Sequence, residues 1–321
     1  MARNPVDRGI GLAGADRTMM ARCFDPVARW WCTPLPAHAV RPIRFALAVI
    51  TAAYFADGMV DAGDWFGVGQ THSSSQIAEF LSLAGIGEAV SASISPLFLT
   101  ESTGVYQVYL GLSIALALGM AVGVGGRYVK VAVWLAVVFW SNRLLWLSGL
   151  AETSLSLSLA SIAIAAETRP DGGRSSSNSG RSTSNGLSVR LLAVQASLLI
   201  GLTWLGMAAG DVWWDGTGAI ALNAPTTNRT IDWTDWLMVT TVHDVVTAVL
   251  MVLPPLGLAL AWLAASHRSA YAGLGMLWIW AALLALFGSV WIHAAILATG
   301  SLAIVLTRDS MVPSSSPTLP Q

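Results

Sequence analysis

Charge is scarce in this chain: 11% of its 321 residues are Asp, Glu, Lys or Arg, where a soluble domain carries about 25%. That scarcity excludes an ordinary water-soluble globule, and with the apolar content below it excludes fibrous and wholly disordered readings. Lysine is scarcer still. Lys130 is the single one among 17 basic residues, which removes Schiff-base and lysine-base chemistry from almost the whole sequence. Cysteine is limited to Cys23 and Cys32, too few for a disulfide framework or a cysteine-ligated zinc site. The charges nearly cancel, to a net −1, so no basic face exists to neutralise a phosphate backbone, and nucleic acid is a poor partner class. No continuous apolar run of signal-peptide type lies near the start, so no cleaved targeting segment is expected.

Apolar residues fill the space that charge leaves. They make up 55% of the chain with a mean hydropathy of +0.62, and 15 Trp stand against 5 Tyr, an indole excess suited to bilayer interfaces. At roughly 17–25 residues per crossing, spanning segments read at 40–60, 105–125, 131–147, 149–166, 190–209, 237–264, 272–289 and 291–307. The third and fourth are joined by almost no loop. The last two form one apolar stretch, too long for a single crossing and turned at Phe287, Gly288 and Ser289.

Loop charge tests this count, because cytoplasmic loops collect Lys and Arg. With an inside N-terminus and eight crossings, 15 of the 17 basic residues fall inside. The outside segments keep only Arg143 and Arg229, and 61–104 holds none. An odd number of crossings misplaces several of these charges. The expected fold is therefore an all-α, polytopic transmembrane helical bundle of about eight spans, both termini cytoplasmic, in the inner cell membrane.

The expected organisation follows. Residues 1–39 form a cytoplasmic segment in which Ala21 to Trp31, mixing Arg with Phe24, Trp30 and Trp31, suits a membrane-surface helix or turn. Residues 40–166 hold the first four spans, with an external amphipathic segment in 61–104, where Ile77, Phe80, Leu81 and Ala84 fall at helical spacing. The Ser/Gly-rich run 167–188 reads as a disordered cytoplasmic linker between two four-span halves. Residues 189–307 hold the last four spans and an external loop at 210–235, and 308–321 is a Ser/Pro-rich disordered tail.

Ionisable groups inside spans cost about 2.5–3.5 kcal/mol on insertion scales and invite a functional reading. Arg143 lies on the outer side, against the positive-inside bias, and needs a partner such as Asn142, Glu152 or Asp57; a structural ion pair and an anion site are equal readings. Asp57 by itself reads as a headgroup-level acid. His243 and Asp244 pair a candidate general base with a carboxylate, although consecutive helical residues point about 100° apart, and capping or an interhelical hydrogen bond is the plainer reading. His293 reads as a packing histidine, and a metal site with His72 and His243 has no supporting spacing, so no metal is expected. Gln195 and Thr203 read as interhelical glue. Pro254 and Pro255 should bend or break their span and free its carbonyls. Trp204, Trp213 and Trp214 are expected at the external interface. Asn228 begins an Asn-Arg-Thr sequon.

The stretch 190–225 carries a resemblance. A span opening Arg190-Leu191-Leu192 with Gln195 inside, leading through Gly206 to Trp214-Asp215-Gly216 and then Leu222-Asn223 and Pro225, resembles the HTTM membrane domain. That family of bacterial membrane proteins is related to the vitamin K-dependent gamma-carboxylase. Looser similarity runs through Gly126-Arg127 and Ser141-Asn142-Arg143, over about residues 40–307. The resemblance implies a helical bundle with its site on the outer side, and Gln195, Trp214, Asp215 and Gly216 as motif residues toward a cofactor. In the carboxylase an essential lysine follows the small glycine of this span. Here Met207, Ala208 and Ala209 stand there, and no large lumenal domain follows, so carboxylase activity is not expected.

Three readings remain. One is a non-carboxylating enzyme or binder of a quinone-like or lipid ligand, with an outward pocket near Arg143, His243 and Asp244. The second is a lipid-handling transporter, and the third an accessory membrane subunit without chemistry of its own. No cofactor is certain, the lipid bilayer is the expected partner, and protein partners are open.

Overall fold

The computed structural model describes residues 28, 30–66, 70, 73–83, 95–144, 149–166, 181–224, 231–264, 266–288 and 290–309. Eight long helices dominate: α1 (Ala37–Phe66), α3 (Thr103–Val122), α4 (Gly126–Arg143), α5 (Leu150–Ile164), α6 (Thr183–Ala208), α10 (Thr240–Leu263), α11 (His267–Phe287) and α12 (Trp291–Asp309). Short elements lie between them: α2 (Ser74–Leu83), a 3₁₀ turn (Pro96–Leu99), α7 (Asp211–Trp214), α8 (Gly218–Asn223) and α9 (Thr234–Leu237). Six of the eight are long and apolar enough to cross a bilayer: α1, α3, α6, α10, α11 and α12. The chain is a multi-pass integral membrane protein with an all-α bundle. Large apolar side chains such as Val108, Leu112, Leu198, Leu202 and Val252 are exposed on its flanks, where in hydrocarbon they meet lipid rather than water.

Of the other two, α4 carries Arg127, Lys130 and Arg143, which lowers its hydropathy, yet Lys130 and Arg143 are buried. The α5 helix is apolar but has only 15 residues, rising about 22 Å at 1.5 Å each. Both its ends are tied. The backbone N–H of Gly149 donates to the Glu152 carboxylate at 2.7 Å, and the Lys130 ammonium donates to the Ala165 carbonyl at 2.6 Å. Each charge complements the helix dipole at its end.

The two expected halves are not separate bundles. Helix α12 packs on α6, α11, α1 and α5, α6 packs also on α5 and α10, and α1 packs on α3. One core cluster accordingly runs from Leu35 to Ile304. Small residues set the closest approaches. A Cβ on Gly273 would lie 2.7 Å from both the Ala261 nitrogen and the Gly257 carbonyl oxygen, so α10 and α11 touch backbone to backbone, as small-residue pairs permit in membranes. A Cβ on Gly300 would lie 2.6 Å from that of Ala196, joining α12 to α6.

Two sequence expectations need correction near the N-terminal end of α6. The linker expected through Ser188 is shorter: Arg181–Ser182 pair antiparallel with Leu35–Pro36, and α6 has begun by Thr183, with Asn185, Gly186 and Ser188 buried. The strand pairing and this burial override the linker-like composition; residues 167–180, with the rest of that expected linker, lie outside the described residues. Likewise Trp30 and Trp31 pack on protein rather than along a membrane surface. Arg190, fully buried, donates from Nη1 to the carbonyls of Trp31 (3.2 Å) and Thr33 (2.6 Å), its guanidinium lies 5.6 Å from the Trp30 ring, and Trp30 packs 6.3 Å from Trp262.

The two prolines do not break α10, which runs from Thr240 through Leu263. Pro255 cannot donate to the carbonyl four residues back, which belongs to Met251, and the Trp204 indole N–H donates to that oxygen at 2.9 Å. Trp204 is therefore tied to a neighbouring helix rather than standing as an interface anchor. The glycine contacts give a testable contrast: Gly273→Val should destabilise the protein by about 1–3 kcal/mol through overpacking, whereas Gly275→Ala, with open space around its Cβ, should not. Thermal unfolding in detergent, comparing the two variants, checks this.

Candidate functional site

The residues singled out by sequence fall into three places. The first surrounds Arg143 at the end of α4. Its side chain is fully buried, and its guanidinium carbon lies 4.6 Å from the Phe98 ring, 4.9 Å from Phe66 and 5.6 Å from Tyr106. Nε donates to the Tyr106 hydroxyl at 3.1 Å, and that hydroxyl sits 2.7 Å from the Thr100 carbonyl and 3.0 Å from that of Leu97. Guanidinium stays protonated in proteins, and stacked aromatic faces hold it by cation–π attraction worth about 2 kcal/mol when desolvated. Phe66, Tyr106 and Trp140 continue the ring network at 5.2–6.5 Å centroid spacing. The Ser95 hydroxyl, donating to the Phe139 carbonyl at 2.7 Å, fastens the 3₁₀ turn to α4. Of the partners expected from sequence, Glu152 is engaged in capping α5 and Asp57 is exposed. The aromatic shell was missed because Phe66, Phe98 and Tyr106 are scattered along the chain with no common period.

The second place is the cap over the N-terminal end of α10. His243 is buried, its Nδ1 donates to the Leu237 carbonyl at 2.9 Å, and its Nε2 lies 3.4 Å from the Asp244 carboxylate. Adjacent in sequence, the two side chains do meet, because the carboxylate bends back across the helix end. Nδ1 thus faces the Leu237 carbonyl and Nε2 faces the Asp244 carboxylate. Both ring nitrogens are then engaged. The Asp244 carboxylate also fills the room beside Gly216, where a Cβ would fall 2.2 Å from its oxygen, and Gly216 sits at φ 78°. Only glycine adopts that turn without strain. Thr247 completes the lock, donating to the Gly216 carbonyl at 2.8 Å and accepting from the Ala219 N–H at 3.0 Å. The Trp213 ring lies over Gly218, the Trp214 indole donates to the Ala208 carbonyl at 2.8 Å, and Trp214 and Asp215 are exposed.

The third place is a cavity of about 220 Å³ between α5, α6 and α12. Leucines 157, 198 and 202 stand exposed at its mouth, and Ser158, Gln195 and Gly300 lie along its walls. Gln195 donates to the Ser161 hydroxyl at 3.1 Å, joining α6 to α5. The cavity is smaller than the roughly 300–1,000 Å³ of drug-sized ligand sites, and it opens sideways. No charged side chain lines it.

The motif residues therefore do not converge. Gln195 lies about 20 Å down α6 from Ala208, whose carbonyl anchors Trp214, while Gly216 keeps company with Asp244. Nor do Arg143 and His243 share a helix contact: α4 packs on α3 and α5, whereas α10 packs on α11, α6 and α12. His293 donates toward Thr203, whose own proton goes to the Leu199 carbonyl, at 3.1 and 2.8 Å, so both serve packing. Among the described residues no group of three metal-ligating side chains occurs. His72, Pro225 and Asn228 lie outside them. The chain matches no protein-family model, and neither a curated protein nor a solved structure matches it.

The Arg143 cage carries its own test. Tyr106→Phe removes the acceptor of Nε and the link to Thr100, and should lower stability by about 1–3 kcal/mol. Arg143→Met, which refills the aromatic slot without charge, should unfold at a higher temperature in detergent than Arg143→Ala. The opposite order would show that filling the aromatic slot does not stabilise the protein.

Proposed function

We propose that this protein is an eight-crossing inner-membrane protein of the HTTM type, with both termini cytoplasmic, that binds a lipid-soluble molecule, quinone-like or lipid, and does not carboxylate. The observation that carries the binding reading is the sideways-opening apolar cavity between α5, α6 and α12. Its axial position supports an entry from the outer half of the bilayer: Leu150 begins α5 and Ile296 lies near the start of α12, both outer ends in the eight-crossing arrangement. The HTTM reading rests on the Arg190–Pro225 motif alone. Ala209 at the position of the family lysine keeps the carboxylase reaction out of the proposal. His243 and Asp244 serve in it as a latch for the Trp214-Asp215-Gly216 turn, and Arg143 as the anchor of the 3₁₀ turn.

A second reading, an accessory subunit, is favoured by the outer cap, where Trp214, Trp236, Met238 and Val239 are exposed together with Ile231. Mass spectrometry of organic extracts separates the two. Protein purified in detergent should carry a specific lipid-soluble compound that is depleted in Leu202→Trp, which places an indole at the cavity mouth. Equal extracts from both proteins, with only bulk phospholipid present, favour the accessory reading. The crossing pattern is tested in a cysteine-free background: Gln70→Cys and Thr226→Cys should react with an impermeant maleimide added outside, and Asn178→Cys should not. The reverse pattern inverts the arrangement.

A further inference from the structure

The hydroxyls on the α5 wall of the cavity are not equivalent. Thr153 donates to the Gly149 carbonyl at 3.2 Å, Ser154 to Leu150 at 2.5 Å and Ser161 to Leu157 at 3.0 Å. Each proton returns to the helix backbone, the usual resting place of a hydroxyl in a membrane helix. Ser158, one turn beyond Ser154 and on the same face, makes no hydrogen bond among the described residues. Its side chain is buried, at 6% exposure, yet it lines the cavity. Its oxygen opens on the cavity rather than lying sealed in the core, and a hydroxyl that faces an apolar space without a partner is poised to donate.

We propose that Ser158 is the ligand-orienting donor of this cavity, and that the molecule it takes presents an uncharged carbonyl oxygen on a hydrocarbon skeleton. The proposal rests on the reading of the cavity as a lipid-soluble ligand site. The chemistry of the walls sets the class. Leucines dominate them, no cation is present to meet a carboxylate or phosphate, and a charged group in such a lining would be left without solvation. One N–H of the Gln195 amide goes to Ser161, and Ser158 is the hydroxyl on these walls whose proton the helix backbone does not take, a neutral donor for a neutral acceptor. Ser158 lies eight residues along α5 from Leu150, about 12 Å below the outer end of the helix. The carbonyl is therefore carried into the hydrocarbon region, while any charged headgroup stays at the surface. At about 220 Å³ the cavity accepts part of such a molecule, and its remainder lies between the exposed leucines in the bilayer.

The test is equilibrium binding of defined probes to the full-length protein in detergent micelles. Dioleoylglycerol is compared with its dialkyl ether, which lacks the carbonyls, and decylbenzoquinone with decylbenzene. Wild type should prefer the carbonyl member of one pair by about tenfold, the worth of one hydrogen bond. Ser158→Ala should bring that ratio to about one without weakening the ether or the alkylbenzene, and Ser158→Thr should keep it. The pair that shows the ratio identifies the source, an ester lipid or a ring ketone. Equal binding of both members to wild type, or an equal loss of both in Ser158→Ala, overturns the role of Ser158 while leaving the cavity a lipid site. No saturable binding of any probe, with Leu202→Trp indistinguishable from wild type, overturns both readings.

Discussion

Hydrocarbon offers no hydrogen-bond partner, so every polar group in the spans has to be met from within the protein. Several indole N–H groups meet this constraint, while that of Trp280 is buried with no hydrogen-bond partner among the described residues. Trp204 covers the carbonyl that Pro255 leaves behind on Met251, Trp262 donates to the Ser197 hydroxyl at 2.9 Å, and Trp233 reaches the Leu286 carbonyl at 3.2 Å. A residue chosen for its apolar bulk thus doubles as a staple between elements. Charges follow the same rule at higher stakes: Lys130 closes the end of α5, Arg143 sits among aromatic faces, and Arg190 gathers the chain ahead of α1.

Packing between apolar helices has to come from shape, since lipid tails are as apolar as leucine. Gly257 and Gly273 let α10 and α11 meet backbone to backbone, and Gly300 against Ala196 does the same for α12 and α6. The cavity is a by-product of that closeness. Where α6 and α12 are drawn together at Gly300, the neighbouring α5 presents Thr153, Ser154 and Ser158 between Leu150 and Leu157, and the space between remains open toward the flank of the bundle.

The helical class was legible in the sequence, because the apolar runs report length: a long helix stands at each of the eight expected segments, and six of them are long and apolar enough to cross a bilayer. Their boundaries agree within a few residues except at α6, where Thr183 to Ser188 reads as linker by composition yet is held by the strand pair and by Arg190. The site was less legible. Gln195 as interhelical glue and His293 as a packing residue were visible from residue type alone. Ser158 was not, since the alternating Ser-Leu pattern of 154–159 gives every serine the same appearance, and only the three-dimensional fate of each proton separates them. The Tyr106–Arg143 pairing spans 37 positions, a distance at which sequence carries no phase.

The contact between Arg190 and Thr33 joins residues 157 positions apart, and that separation has a temporal meaning. During synthesis at about 5–20 residues per second, Arg190 emerges on the order of ten to thirty seconds after Thr33. Throughout that interval the opening segment has no anchor, and the strand pair between Leu35–Pro36 and Arg181–Ser182 has only one of its edges. That end of the bundle is consequently sealed late, after the first four long helices already exist, and α6 arrives as the element that closes the work of the ribosome's first minute.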